Sequence, residues 1–147
     1  MSLDPSLVPD DYHYVHPIRV RFAETDAMGV VHHARYLPYL EEARVAFLRA
    51  IDHPYSSVRN DEGIDFTVLE AFVRYLRPLR FDDVVDVHLT VGAVTRATFQ
   101  LGYLLTLDGV AHATAVTVHG CVTVDGKPTR PPAWLVAEAD AVINPRP

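Results

Sequence analysis

From Phe66 to Val124 the sequence reads as one strand after another, with no connection long enough to carry a crossover helix. Val85, Val87, Leu89, Val91 and Ala93 alternate with Asp86, His88, Thr90 and Gly92; Phe99, Leu101, Tyr103, Leu105 and Leu107 alternate with Thr98, Gln100, Gly102 and Thr106. A period of two marks strands with one face buried. Strands joined by short turns run antiparallel, which excludes a doubly wound parallel sheet and any nucleotide-binding fold built on one. "LDG" at 107 to 109 is a hairpin signal and "VDG" at 124 to 126 a second turn. In the last strand the apolar phase shifts, from Ala111, Ala113 and Ala115 to Val116, Val118, Val122 and Val124. A bulge near Ala115 would keep both halves facing the core.

Ahead of these strands the period changes. Tyr36, Leu40, Ala43, Phe47 and Ile51 recur at steps of three and four, with Glu41, Glu42, Arg44 and Arg49 mainly off that stripe, which predicts one long helix. Leu37, Ala46 and Leu48 widen its apolar surface, so burial on more than one side is expected. Pro38 is tolerated only near a helix start, which places that start at His33 to Arg35. Tyr12 to Phe22 alternates as a strand, and Pro17 within it makes the strand an edge or irregular at that point. Gly63 and the polar run "RNDEG" read as a loop, and Ala133 to Val142 as a short helical tail. One helix with apolar sides beside one antiparallel sheet predicts an α+β domain in which the sheet wraps the helix. Its open edges and broad faces predict a homo-oligomer.

The chain has 147 residues, the size of one core, and is read as a single domain, 1–147, with a flexible N-terminus over 1–11. It is 49% hydrophobic and carries a formal net charge of -6, which gives no global electrostatic reason to bind nucleic acid or an anionic membrane. Cys121 is the only cysteine, which excludes an intramolecular disulfide and any multi-cysteine zinc site and suits a reducing cytosol. No signal peptide and no membrane span are read, so a cytoplasmic protein is expected.

The stretch "ETDAMGVVHHARYLPYLEEAR" sets an acid, Asp26, just ahead of Gly29, two histidines and the helix start. It resembles the signature of the 4-hydroxybenzoyl-CoA thioesterase-like branch of the hotdog-fold acyl-CoA thioesterases, and the similarity continues through "FVRYLRPLRFDDVVDV" and "VDGKPTRPP". The resemblance implies a hotdog fold, with a five- or six-stranded antiparallel sheet around a long central helix. It further implies a homodimer or homotetramer with active sites at the dimer interface. The substrate would be an acyl-CoA or an acyl carrier protein conjugate, and no cofactor is implied, since coenzyme A is part of the substrate. The catalytic carboxylate falls on Asp26, and the oxyanion and acyl site on Gly29, Val30, His33 and Tyr36.

The chemistry fits this division. Thioester hydrolysis builds negative charge on the carbonyl oxygen, and unpaired N–H groups at a helix start are oriented donors that receive it. The backbone N–H of His33 is the candidate donor. Asp26 then either attacks the carbonyl or activates a water. Arg74, Arg77, Arg96 and Arg130 are candidates for the phosphates of coenzyme A. His32 and His33 are adjacent and lack a helical His-x-x-x-His spacing, so no metal site is expected. Glu70 is read as structural. Tyr36, Tyr39, Phe72 and Tyr75 either line an aryl pocket or pack the core. Three rivals remain at this point: an acyl-CoA or acyl-carrier binding module without turnover; a hotdog hydratase or dehydratase, which needs a different Asp and His constellation; and a structural partner in an envelope or multi-protein complex, for which the sequence offers no docking segment.

Overall fold

The computed structural model describes residues 5–143. Strand β1 (Tyr14–Arg19) is followed by α1 (Tyr36–Ala50), α2 (Tyr55–Glu62), then β2 (Ile64–Tyr75), β3 (Val84–Val94), β4 (Thr98–Leu107), β5 (Val110–Thr123) and α3 (Ala133–Ile143). The strands form one sheet in the order β1-β3-β4-β5-β2, and every neighbouring pair is antiparallel. Pro17 stands opposite Asp86 on the edge strand β1, where a missing donor is tolerated. The β4–β5 hairpin turns through Asp108 and Gly109 at φ 50 and 79, the left-handed pair that such a two-residue turn requires.

One sheet face grips the helix. Val85, Val87, Leu89, Leu101, Tyr103, Leu105, Ala113 and Ala115 share a buried core with Tyr36, Tyr39, Leu40, Ala43 and Phe47 of α1. A 3-10 turn at His33–Arg35 leads into α1, which puts Pro38 in the first turn of the α-helix proper. Leu135 and Ala139 of α3 complete the same core.

Three local expectations are corrected. The run read as a loop is helix α2: the Pro54 carbonyl accepts the N–H groups of Ser57 and Val58, and Gly63 closes the helix in the left-handed conformation at φ 68. With Val58 as its one buried residue, α2 offers no apolar stripe to read. No bulge lies at Ala115. From Ala113 to Cys121 β5 is buried on both faces, so apolar residues of either parity are accommodated in one register. The register shifts fall elsewhere, at His112 between the pairs Leu105↔Ala113 and Thr106↔Ala111, and at Leu69 between Val68↔His119 and Glu70↔Val118. Finally, β1 stops at Arg19 and Phe22–Glu24 turns into a 3-10 helix.

Within the N-terminal stretch, Pro9–Asp11 forms a 3-10 turn and the buried Tyr12 donates its hydroxyl hydrogen to the Ser6 carbonyl at 2.7 Å. Strand β2, at the sheet edge, exposes Val68, Leu69, Phe72 and Tyr75. Among the described residues no helix is long and apolar enough to cross a membrane.

Candidate active site

The segment before α1 is strapped to the loop before β3. Val20 N–H donates to the Asp83 carbonyl at 2.8 Å, Asp82 N–H to Val20 at 3.0 Å, and Val31 N–H to Leu79 at 2.8 Å. Val20, Val31 and Leu79 are buried, so apolar packing adds to the hydrogen bonds that hold the strap. Between the buried ends the chain makes a tight loop at Asp26. Its N–H donates to the Val30 carbonyl at 2.8 Å, and the Gly29 N–H donates to the Asp26 carbonyl at 3.0 Å. Gly29 sits at φ 80, a left-handed position that favours glycine.

The loop also fixes the carboxylate. Asp26 Oδ1 accepts from the backbone N–H of Met28 at 2.8 Å and of Val30 at 3.3 Å. Oδ2 has no hydrogen-bond partner among the described residues, so the loop presents one oxygen and holds the other. A buried carboxylate supports the strap from behind. Glu24, 5% exposed, accepts from the Tyr39 hydroxyl at 2.9 Å and the Arg21 N–H at 2.7 Å, while its carbonyl takes the His32 N–H at 2.9 Å. Burial works against ionisation of Glu24, but the hydrogen bonds from Arg21 and Tyr39, with the charge of Arg21, outweigh it and hold its pKa below the ordinary value.

Beside the Asp26 loop is an open cleft of about 370 Å³ whose wall includes Asp26, Val30, His33, Tyr36, Tyr75 and Arg77. His32 caps the helical start, its Nδ1 accepting the Ala34 N–H at 3.1 Å. The His33 N–H, at the first position of that start, has no acceptor among the described residues. Tyr75 donates its hydroxyl hydrogen to the His33 carbonyl at 3.1 Å and meets Tyr36 edge to face at 4.8 Å. Burial, and secondarily the Tyr75 phenol, push the Tyr36 pKa up to about 12, so Tyr36 is a neutral wall of the cleft.

Six of the residues singled out by sequence, Asp26, Val30, His33, Tyr36, Tyr75 and Arg77, therefore meet at one cleft, and Gly29 shapes the loop beside it. Arg74 lies on β2 with its guanidinium 5.8 Å over the Phe72 ring. Arg96 and Arg130 lie at the opposite end of the sheet: Cys121 N–H donates to the Ala97 carbonyl at 2.8 Å and Thr129 N–H to Cys121 at 2.9 Å. One chain alone does not bring those two arginines to the cleft. Of the aromatic residues, Tyr36 and Tyr75 line the cleft, Tyr39 is buried against Glu24, and Phe72 is exposed on the β2 edge. Glu24 was missed, because its partner Tyr39 stands 15 positions away and no local pattern links them. Met28 and Leu76, also missed, line the cleft from two separate loops.

A long helix gripped by a five-stranded antiparallel sheet, with a carboxylate loop at the helix start, is the hotdog architecture of thioester hydrolases. The sequence profile of the Thioesterase-like superfamily matches residues 20–139. The acyl-CoA thioesterase YbgC of Haemophilus influenzae is 31% identical over 106 residues, 72% of this chain and 78% of that protein. The 1,4-dihydroxy-2-naphthoyl-CoA hydrolase of Synechococcus elongatus is 32% identical over 127 residues, 82% of this chain and 93% of that one. The crystal structure of a hypothetical protein, AQ1494, from Aquifex aeolicus superposes with a TM-score of 0.81 at 39% identity, covering 86% of this chain and 99% of that chain. The chain belongs to the Thioesterase-like superfamily and is a thioester hydrolase.

Proposed function

We propose that the protein hydrolyses acyl-CoA thioesters, with Asp26 as its catalytic carboxylate and the start of the α1 helical segment as its oxyanion site. The observation that carries this reading is the split role of the Asp26 carboxylate, with Oδ1 held by two backbone N–H groups and Oδ2 left without a partner among the described residues. In the reaction Oδ2 takes a proton from the attacking water or adds to the thioester carbonyl itself; both routes need an ionised carboxylate. The His33 N–H and the positive end of the helical segment then receive the charge growing on the carbonyl oxygen. Tyr36 and Tyr75 wall the cleft beside the reacting atoms.

Coenzyme A enters over Arg77, whose fork suits phosphate oxygens. The exposed β2 edge, with Val68, Leu69, Phe72 and Tyr75, is the natural seam of a homodimer. A two-fold axis there pairs β2 with its copy antiparallel, so the Tyr75 end of one strand meets the Ile64 end of the other. That arrangement carries Arg96 of the partner subunit and Arg130 of the partner subunit toward the Asp26 cleft. An acyl carrier protein presents the same pantetheine thioester and is a second possible donor. The cytoplasm, where acyl-CoA is made and a lone cysteine stays reduced, is the setting we assign.

The test is thiol release from acetyl-, hexanoyl-, palmitoyl-, benzoyl- and hydroxybenzoyl-CoA, with carrier protein acylated on its pantetheine thiol as a further arm. Saturable turnover of at least one acyl-CoA is expected. No release from any member, with the protein folded, would overturn the proposal.

A further inference from the structure

Strand β5 is bulged beside the Asp26 cleft. Between the pairs Leu105↔Ala113 and Thr106↔Ala111 one residue, His112, has no partner across β4, and on the other side the β2 pairing ends at Tyr75↔Ala113. An extra residue in a strand is released from the ladder, and its groups are aimed elsewhere. The His112 carbonyl accepts the N–H of Leu76 at 2.9 Å and the N–H of Arg77 at 3.0 Å. Its Nδ1 lies 3.2 Å from the Pro78 carbonyl; a carbonyl only accepts, so Nδ1 carries the hydrogen and donates it. Three consecutive residues, Leu76, Arg77 and Pro78, are thus tied to one residue of β5, and all three line the cleft.

The far side of the same segment is tied to the Asp26 loop. The Leu79 carbonyl takes the Val31 N–H at 2.8 Å, and Arg80 bridges to Val30, whose own N–H reaches Asp26 Oδ1 at 3.3 Å. Residues 76 to 80 therefore form a wall hung between His112 and the catalytic loop. Within it the backbone of Arg77 is fixed from both directions. Its N–H is held by the His112 carbonyl, its ψ is restricted by the proline that follows, and that proline's carbonyl is held by the imidazole. A long side chain is aimed by the backbone that carries it.

We propose, on the thioesterase reading above, that His112 is a positioning residue for coenzyme A: its bond to the Pro78 carbonyl holds Arg77 where the guanidinium meets the phosphates. The imidazole is not among the residues that wall the cleft, so it acts on the substrate through Arg77 alone. Removing it leaves the two backbone bonds to Leu76 and Arg77 in place. Water can replace the imidazole as donor to the half-open Pro78 carbonyl, so little stability is lost, but a water does not fix the segment.

The experiment measures kcat and KM for one acyl-CoA of the panel and for the same acyl group on pantetheine, which lacks the phosphates. The proteins are wild type, His112→Ala, His112→Asn, Arg77→Met and the double variant of His112→Ala with Arg77→Met. His112→Ala is expected to raise KM for the acyl-CoA roughly threefold to tenfold, the worth of one hydrogen bond, with kcat within about twofold of wild type. KM for the acyl-pantetheine should not move. His112→Asn should recover most of the loss, because its amide N–H stands where the Nδ1–H stood and reaches the same carbonyl. In the double variant the change at His112 should add nothing to that of Arg77→Met. A merely structural role would instead lower the thermal midpoint and weaken both thioesters alike. Equal effects on the two thioesters, an unmoved KM for the acyl-CoA, no recovery in His112→Asn, or effects that add in the double variant overturn the proposal. Calorimetry with coenzyme A itself reads the same contact without turnover. If no thioester were hydrolysed, the catalytic reading would fall. A coenzyme A affinity weakened by His112→Ala and restored by His112→Asn would still support this assignment, and an affinity absent or unchanged would overturn it.

Discussion

Replacing Tyr39 by Phe removes one oxygen atom from the support of the Asp26 loop. Tyr39 is 2% exposed and its hydroxyl donates to the Glu24 carboxylate at 2.9 Å, so the bond is buried and charge-assisted. A bond of this type contributes about 1.5–3 kcal/mol. Glu24 keeps the Arg21 N–H at 2.7 Å and the Arg21 guanidinium at 3.4 Å, so the carboxylate is not stranded and the loss should stay near the middle, about 2 kcal/mol. For a chain of this length that corresponds to a fall in Tm of roughly 4–8 °C. The pH dependence gives the sign. The folded pKa of Glu24 is lowered, so its contribution is present above the ordinary carboxylate pKa and is lost as pH falls through the folded value. Tyr39 helps to lower it, so the gap between wild type and Tyr39→Phe should narrow on acidification, once the carboxylate is protonated in both. Urea titrations at neutral pH and below about pH 4 measure the two gaps. A variant as stable as wild type at neutral pH, or a gap that does not narrow in acid, would refute the reasoning.

Other consequences follow from single positions. Gly29→Ala meets no atom within 4 Å of the added Cβ but must hold φ 80, so about 1 kcal/mol of stability and a larger share of turnover should be lost, read by urea titration and thiol release. His119 is neutral in the fold with its pKa near 3, whereas the unfolded chain protonates it at its ordinary 6.5; stability should decline as pH drops from 6.5 toward 3, and His119→Gln should flatten that part of the curve. Cys121 is buried and its thiol pKa is pushed up to about 11 by desolvation, so a disulfide reagent should modify it only on unfolding, at the rate set by urea.

The parts of the fold that could be read from the chain are those in which one face meets the core and the other does not. The alternation in β3 and β4, the stripe of α1, and Pro17 on an edge strand all have a local cause that survives in the folded molecule. β5 misled because it is buried on both faces, where parity carries no information. Helix α2 was hidden for the opposite reason, since a helix with one buried side chain has no stripe. At the site, Asp26, Gly29 and His33 are legible because loop, turn and helix start are consecutive in sequence. Glu24 with Tyr39, and His112 with Pro78, are contacts across 15 and 34 positions, which only the folded chain brings together.

The central claim is that the free oxygen of Asp26 does the chemistry. Asp26→Asn tests it with little disturbance, because the amide oxygen can still accept the Met28 and Val30 N–H groups that hold the loop. Wild type and variant are compared by kcat on the best acyl-CoA of the panel and by thermal midpoint. The account predicts a kcat lower by at least about a hundredfold with the midpoint nearly unchanged. A variant that turns over as fast as wild type would contradict it.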